Sequence, residues 1–374
     1  MKKILLTIFI IGSAIGCSSE QKSDTSIATL KESYKQHFYI GAALNTSQYT
    51  GTDERGIPIV EKHFNSISPE NDLKWEKIHP RPEVYNFEES DAFVEFGEAN
   101  NMFIVGHVLV WHSQTPDWVF EDDNGNEISR DALLERMEDH IKTIVTRYKG
   151  RINGWDVVNE ALNEDGSLRE SKWYTIIGPD FIEKAFEYAE AADPEAELYY
   201  NDYNMFNVEK ADGAVRMVKE IQDNGVKVSG IGMQGHYGLE GPTPDEVETS
   251  IIKFKELGIV AVTELDVDVL PPAFESMGAD ISMRAELRAE LNPYAEGMPD
   301  SIKQAQIDRF TEYFEVYLRH SDKINRVTTW GVTDGDSWKN GWPVSGRTNY
   351  PLLFDREGKE KEVVKVLMEL PLNK

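Results

Sequence analysis

The chain has 374 residues, of which 40% are hydrophobic and 10% aromatic, enough apolar surface for a sizeable core and against intrinsic disorder. Asp plus Glu total 66 against 39 Lys plus Arg, a formal charge of −27. A surface of that sign repels phosphate backbones and anionic membranes, so nucleic acid is excluded as a natural partner and a neutral substrate fits better.

The first residues, "MKKILLTIFIIGSAIGC", place Lys2 and Lys3 before an apolar run from Ile4 to Ile11 and small residues before Cys17. This is the pattern of an export signal over residues 1–17, too short for a spanning helix. Its end, "SAIGC", resembles the lipobox of bacterial lipoproteins, with Ala14 where Leu is commonest. Cys17 is the only cysteine, which excludes an intrachain disulfide. The expectation is a lipidated Cys17 at the mature terminus of an exported protein, anchored to a membrane on the periplasmic side or at the cell surface. Residues 18–30, "SSEQKSDTSIATL", are small and polar and read as a tether. Residues 31–374 then form one folded domain.

Eight apolar, β-branched runs follow: "FYIGAAL" (38–44), "FNSIS" (64–68), "MFIVGHVLV" (102–110), "INGWDVVN" (152–159), "AELYYND" (196–202), "VSGIGMQGH" (228–236), "GIVAVTEL" (258–265) and "RVTTWGV" (326–332). Helical patterns separate them. In "DALLERMEDHIKTIVTRYKG" the apolar residues Leu133, Met137, Ile141, Ile144 and Tyr148 recur at helical spacing before Gly150. In "TPDEVETSIIKFKELG" Thr243 suits the N-cap, Pro244 the first helical position and Glu246 the capping box, and Gly258 marks the stop. Strand then helix, repeated about eight times, predicts parallel strands with helical crossovers closed into an α/β fold, the (β/α)8 TIM barrel. An open doubly wound sheet is the alternative, but no glycine-rich phosphate loop follows the first strand.

Barrel enzymes carry their chemistry at the C-terminal ends of the strands, and those ends are polar and aromatic here. Glu70, Asn71 and Lys74 follow the second run; His107, Trp111 and His112 end the third. Asn159 and Glu160 end the fourth, and Asn201, Asp202 and Tyr203 end the fifth. Gln234 and His236 lie on the sixth, Glu264 and Asp266 on the seventh, and Trp330 on the eighth, with Trp338 beyond it. Any one of these reads most simply as a cap or a core residue; their convergence on one rim does not. Glu160 and Glu264 stand three strands apart, and two carboxyls across a barrel mouth suit glycoside hydrolysis, one protonating the leaving oxygen and the other supporting the oxocarbenium-like centre. Asp266 and His236 are placed to hold Glu264 ionised, and Trp faces suit sugar rings. No His-Glu-x-x-His helix or His-x-His strand occurs, so no metal or cofactor is expected.

In combination, "SPENDLKW", "GHVLVWHSQTPDW", "WDVVNEAL", "YYNDYN", "GIGMQGHY", "VTELDV" and "TTWGVTDGDSW" resemble glycoside hydrolase family 10, the retaining endo-β-1,4-xylanases. The resemblance runs from "GAALN" (41–45) to "LLFDREGKEK" (352–361). It implies Glu160 as general acid/base, Glu264 as nucleophile, and His236 with Asp266 as the network orienting Glu264. It also implies Asn159 on the 2-hydroxyl of the attacked sugar, with His107 and Gln234 lining the same subsite. Glu70, Asn71 and Lys74 would hold the next xylose; Trp111, Trp330 and Trp338 would wall the cleft, with Tyr203 towards the leaving group. Xylan and xylo-oligosaccharides are the partners implied. A β-1,4-glucanase on the same barrel and a non-catalytic xylan-binding lipoprotein are the alternatives. Residues 270–310 exceed a loop plus one helix and are expected to lengthen or partly cover the cleft.

Overall fold

The computed structural model describes residues 29–273, 280 and 282–373; the expected export signal, Cys17 and residues 18–28 of the expected tether lie outside the described residues. Thr29 and Leu30, read as the end of that tether, belong to the folded body. Thr29 caps the helix Leu30–Ser33, and Leu30 is fully buried.

The β-branched runs become strands whose residues are buried on both faces, as parallel strands wrapped by helices must be. They are β1 (Tyr39–Leu44), β2 (Ser66–Pro69), β3 (Phe103–Trp111), β4 (Gly154–Asn159), β5 (Glu197–Asp202), β6 (Gly230–Met233), β7 (His236–Gly238), β8 (Ile259–Asp268) and β9 (Ile324–Thr329). All pair in parallel in the order β6-β5-β4-β3-β2-β1-β9-β8-β7, and the β6–β8 pairing closes the ring. The barrel therefore has the expected eight strands, with β7 a short continuation of β6 alongside β8. Helices fill the crossovers where the caps place them. Ser129 accepts from Ala132 N ahead of the helix Arg130–Arg147, and Thr243 and Glu246 form a reciprocal capping box on Pro244–Phe254. Replacing such a cap by Ala costs about 1 kcal/mol.

The structure departs from the expected elements in two places, and both concern the site. The sixth run is not one strand: it breaks at Gln234–Gly235, where Gly235 takes φ +85°. The partner strand carries the reason. From Met233↔Val262 to His236↔Asp266, β8 advances one residue more than β6–β7. It also advances one residue more than β9 between Val262↔Val327 and Leu265↔Thr329. Glu264 sits in this bulge, and a bulge re-aims the side chain it carries. The second departure is the long segment after β8. Its last eleven residues are the start of the helix Asp300–Arg319, so the insertion proper is 270–299, with a short 3-10 turn at Ala289–Leu291.

Candidate active site

A cleft of about 750 Å³ opens at the C-terminal ends of the strands. Glu70, Asn71, Lys74, His107, Trp111, Asn159, Glu160, Tyr203, Gln234, His236, Glu264, Trp330 and Trp338 line it. Asp266, fully buried, stands immediately behind. Three non-glycine residues with left-handed backbones, Gln114 (φ 46°), Glu160 (φ 57°) and Asn204 (φ 51°), also line the cleft. Strain of this kind costs of order 1–3 kcal/mol per residue and collects at functional sites.

The Glu264 side is charged. Its backbone N–H donates to Gln234 O at 2.6 Å across the β8 bulge. Its Oε2 lies 3.1 Å from His236 Nε2, and His236 Nδ1 lies 2.8 Å from Asp266 Oδ2. Burial works against a charged imidazole, but Asp266 and then Glu264 outweigh it and lift His236 to about 9. His236 is therefore a cation at neutral pH, donating through both nitrogens. Burial would also raise Asp266, yet Lys339 (Nζ 3.4 Å from Oδ1) and His236 hold it below its usual value. Trp338 Nε1 donates to the same carboxylate at 3.0 Å and packs tilted against His236, 4.9 Å between ring centres.

The Glu160 side is held by neutral donors. Trp111 Nε1 donates to Oε2 at 2.9 Å, and Gln234 Nε2 to Oε1 at 2.9 Å. The left-handed turn is pinned through the main chain, Glu160 N donating to Asn201 O and Arg169 Nε to Glu160 O, each at 2.9 Å. Arg169 Nη2 also donates to Tyr203 Oη at 3.1 Å, fixing Tyr203 at the rim.

Amides join the two halves. Asn201 Nδ2 donates to Glu264 Oε1 (2.9 Å) and to Asn159 Oδ1 (3.0 Å), and Gln234 Nε2 donates to Asn159 Oδ1 (3.2 Å) as well as to Glu160. Thr263 Oγ1 donates to Asn201 Oδ1 at 2.7 Å, which fixes the amide's orientation. On the far side of Trp111, Lys74 Nζ donates to Asn71 Oδ1 (3.1 Å) and Gln114 Oε1 (2.9 Å) and lies 5.0 Å from the Trp111 ring centre. Burial lowers the Lys74 ammonium, opposed by Glu264, Glu70 and Glu160; burial raises Glu70, opposed by Lys74. His107 Nδ1 pairs with Asp156 Oδ2 at 2.9 Å, and its ring meets the Trp330 ring edge-on. Among the described residues no group of three or more His, Cys, Asp or Glu is arranged to hold a metal ion.

The structure brings the residues expected to act on or bind the sugar to one place and adds others; His112, at the end of the third run, is not among the residues that line the cleft. Asn201, Gln114 and Lys339 belong to the network: Asn201 reads in the sequence only as part of a polar strand end, Gln114 lies inside a motif read for its neighbours, and Lys339 directly follows Trp338, the last residue of another. Asp202, beside Asn201 in the same motif, points the other way. It pairs with Lys210 at 2.9 Å, and burial lifts it to about 6.

The profile of "Glycosyl hydrolase family 10" matches residues 29–370. The endo-1,4-beta-xylanase A of Xylanibacter ruminicola is 45% identical over 343 residues, 91% of this chain and 93% of that protein. The beta-1,4-xylanase of Dictyoglomus thermophilum is 40% identical, with 96% of each chain covered. Among solved structures, a GH10 endoxylanase retrieved from a sugarcane soil metagenome is 45% identical and superposes with a TM-score of 0.88, covering 91% of this chain and 99% of that one. A barrel of this topology, matched along nearly its whole folded length, belongs to glycosyl hydrolase family 10.

Proposed function

We propose that the protein cleaves internal β-1,4 xylosidic bonds of xylan by double displacement with retention of configuration, Glu264 acting as nucleophile and Glu160 as acid/base. The protein is an endo-1,4-β-xylanase; the family match and the xylanases most similar to it support that activity. The division of labour rests on one observation. The His236 cation bonds the Glu264 carboxylate, whereas among the described residues the Glu160 carboxylate receives hydrogen bonds only from the neutral Trp111 and Gln234. A nucleophile must stay ionised, and a cation in contact keeps it so; an acid/base must pass between two states, and neutral donors tolerate both.

In the first step Glu264 attacks the anomeric carbon while Glu160 gives its proton to the leaving oxygen. In the second Glu160 takes a proton from water, which opens the glycosyl-enzyme. Asn159 sits between the carboxylates, where it suits a bond to the 2-hydroxyl. The two carboxylates should then fail differently. Glu264→Ala should disable every substrate. Glu160→Ala should lose about 10²–10⁴-fold on xylan, yet keep the first step on an aryl xylobioside with a good leaving group, and azide should restore its turnover as a β-glycosyl azide. If Glu160→Ala harms both substrates equally and azide does nothing, the assignment is wrong.

The reading extends to location. "SAIGC" supports export and lipidation at Cys17, and among the described residues no helix is long and apolar enough to cross a membrane. Cys17→Ser should release the protein from the membrane fraction or leave its signal uncleaved. An unchanged membrane fraction would remove the anchor from the proposal.

A further inference from the structure

One cation in the cleft wall is not used by the chemistry above. Arg347 lines the cleft yet is only 4% exposed. Its backbone is fixed by a hydrogen bond from Arg347 N to Asn340 O at 3.1 Å. The guanidinium spends one donor, Nη2, on Pro271 O at 3.1 Å. Its Nε is buried with no partner. Among the described residues Nη1 has no hydrogen-bond partner, and it is not sealed from solvent, which leaves it as the donor open to the cleft.

No carboxylate among the described residues lies within salt-bridge distance of Arg347; Asp268, the acid that acts on it, is engaged elsewhere. Asp268 Oδ1 accepts from Leu270 N (2.9 Å) and Asn349 Nδ2 (2.8 Å), and its Oδ2 lies 3.5 Å from Lys339 Nζ. A buried guanidinium without a counter-ion is costly. It is also out of keeping with a chain of charge −27, and a xylose backbone carries no charge to match it. Arg284, exposed on the inserted segment, lines the same cleft.

We propose that Arg347 is a specificity-determining residue that receives the carboxylate of a uronic-acid branch on the xylan chain. This rests on the xylanase reading and sharpens it: the preferred polymer is an acidic xylan, and the carbonyl of Pro271, just after β8, holds the guanidinium. The interaction is a single charge-assisted hydrogen bond through Nη1, open to solvent on one side. Its effect should accordingly be modest, about three- to tenfold in kcat/KM.

The test is a ratio. Uronic-acid-bearing xylan is compared with the same polymer after chemical reduction of its carboxyls to neutral alcohols, which keeps the branch and removes the charge. The wild type should favour the acidic polymer about three- to tenfold, and the preference should shrink as salt screens it. In Arg347→Gln the ratio should fall to about one, whatever happens to the rate itself. Should that variant not fold, Arg347→Lys is read instead, with a ratio expected between the two. A wild-type ratio of one or below overturns the proposal and returns Arg347 to a structural bond with Pro271. A ratio unchanged by the substitution overturns it too. Linear xylohexaose, undecorated, is run alongside: failure to cleave it would fault the xylanase reading rather than the role of Arg347.

Discussion

Two histidine sites in this barrel are both desolvated, and they carry opposite charge. His236 touches Asp266 and Glu264 and is lifted to about 9. His79 and His140 lie in an aromatic stack, with Trp75 and His140 parallel at 3.5 Å between ring centres and Tyr85 and Trp118 packed on His79. Their Nδ1 atoms meet at 3.1 Å, and both Nε2 atoms are buried without a partner. One Nδ1 must donate and the other accept, so the pair shares one proton at this contact and a second would break it. Burial lowers His79 to about 4, weakly opposed by Asp139, whose carboxylate accepts from Tyr85 Oη; burial and then His79 push His140 well below its usual value. Arg136 stacks on Trp118 at the edge of the same cluster. Burial disfavours the charged form at both sites; a carboxylate in contact is what reverses it.

The largest break in this contrast should come from Asp266→Asn, which removes the chief anion facing His236 while leaving a hydrogen-bonding group of the same shape. The imidazole titration, followed by NMR, should drop from about 9. Glu264 should lose its fixed cation, and kcat/KM on xylan should fall about 10²–10³-fold, the cost of losing a preorganised electrostatic partner. A titration that does not move would mean that Asp266 is not what charges His236.

A smaller effect is expected of Lys339→Met. Lys339 acts on the imidazole only through Asp266, so Asp266 should rise while His236 keeps its charge, and kcat/KM should fall roughly threefold to tenfold. A loss as large as that of Asp266→Asn would make Lys339 a substrate contact in its own right.

The smallest effect is in stability, and its direction differs between the sites. For His79 and His140 the folded values lie below the unfolded value of about 6.5. Their contribution is complete above that pH and is lost on acidification, for His79 towards about 4 and for His140 in the same direction. For His236 the folded value is raised, so its contribution is complete below about 6.5 and lost as the pH climbs through about 9. His140→Gln should therefore reduce the drop in Tm between pH 7 and pH 4.5 by a few degrees without changing the alkaline side. An unchanged acid slope would show that other groups set it.

Much of this was readable in the sequence because strand ends are local. "WDVVNE" and "VTELDV" announce buried strands ending in carboxylates, and Thr243-Pro244 with Glu246 announces a helix start. What escaped was whatever depends on register around the ring. In the sequence Asn201 and Asp202 form one polar strand end; which of the two reaches Glu264 and Asn159 follows from pairing with β4 and β6. The bulge that turns Glu264 inward adds one residue to β8 relative to both neighbours, a mismatch no single run displays. Lys339 is an ordinary charge next to Trp338 until Asp266 arrives beneath it from a strand some seventy residues earlier. The helix within 270–310 is expected, but its start at Asp300 carries no capping signature, because Pro299 precedes it in place of a side-chain cap.

The inserted segment has a consequence for how such enzymes exchange parts. Residues 270–299 are sewn to the loop around 338–350 by Ala285 N to Pro343 O (3.0 Å), Arg347 Nη2 to Pro271 O (3.1 Å), Thr348 N to Asn292 Oδ1 (2.9 Å) and Tyr350 Oη to Tyr294 O (2.8 Å). Transplanting either piece alone into a relative would orphan donors or acceptors on both sides of the seam, at about 1–3 kcal/mol for each that stays buried. The two stretches are thus one heritable cassette split across the chain. Recombination that cuts between them breaks it, and a chimaera should retain its fold only when both cross together.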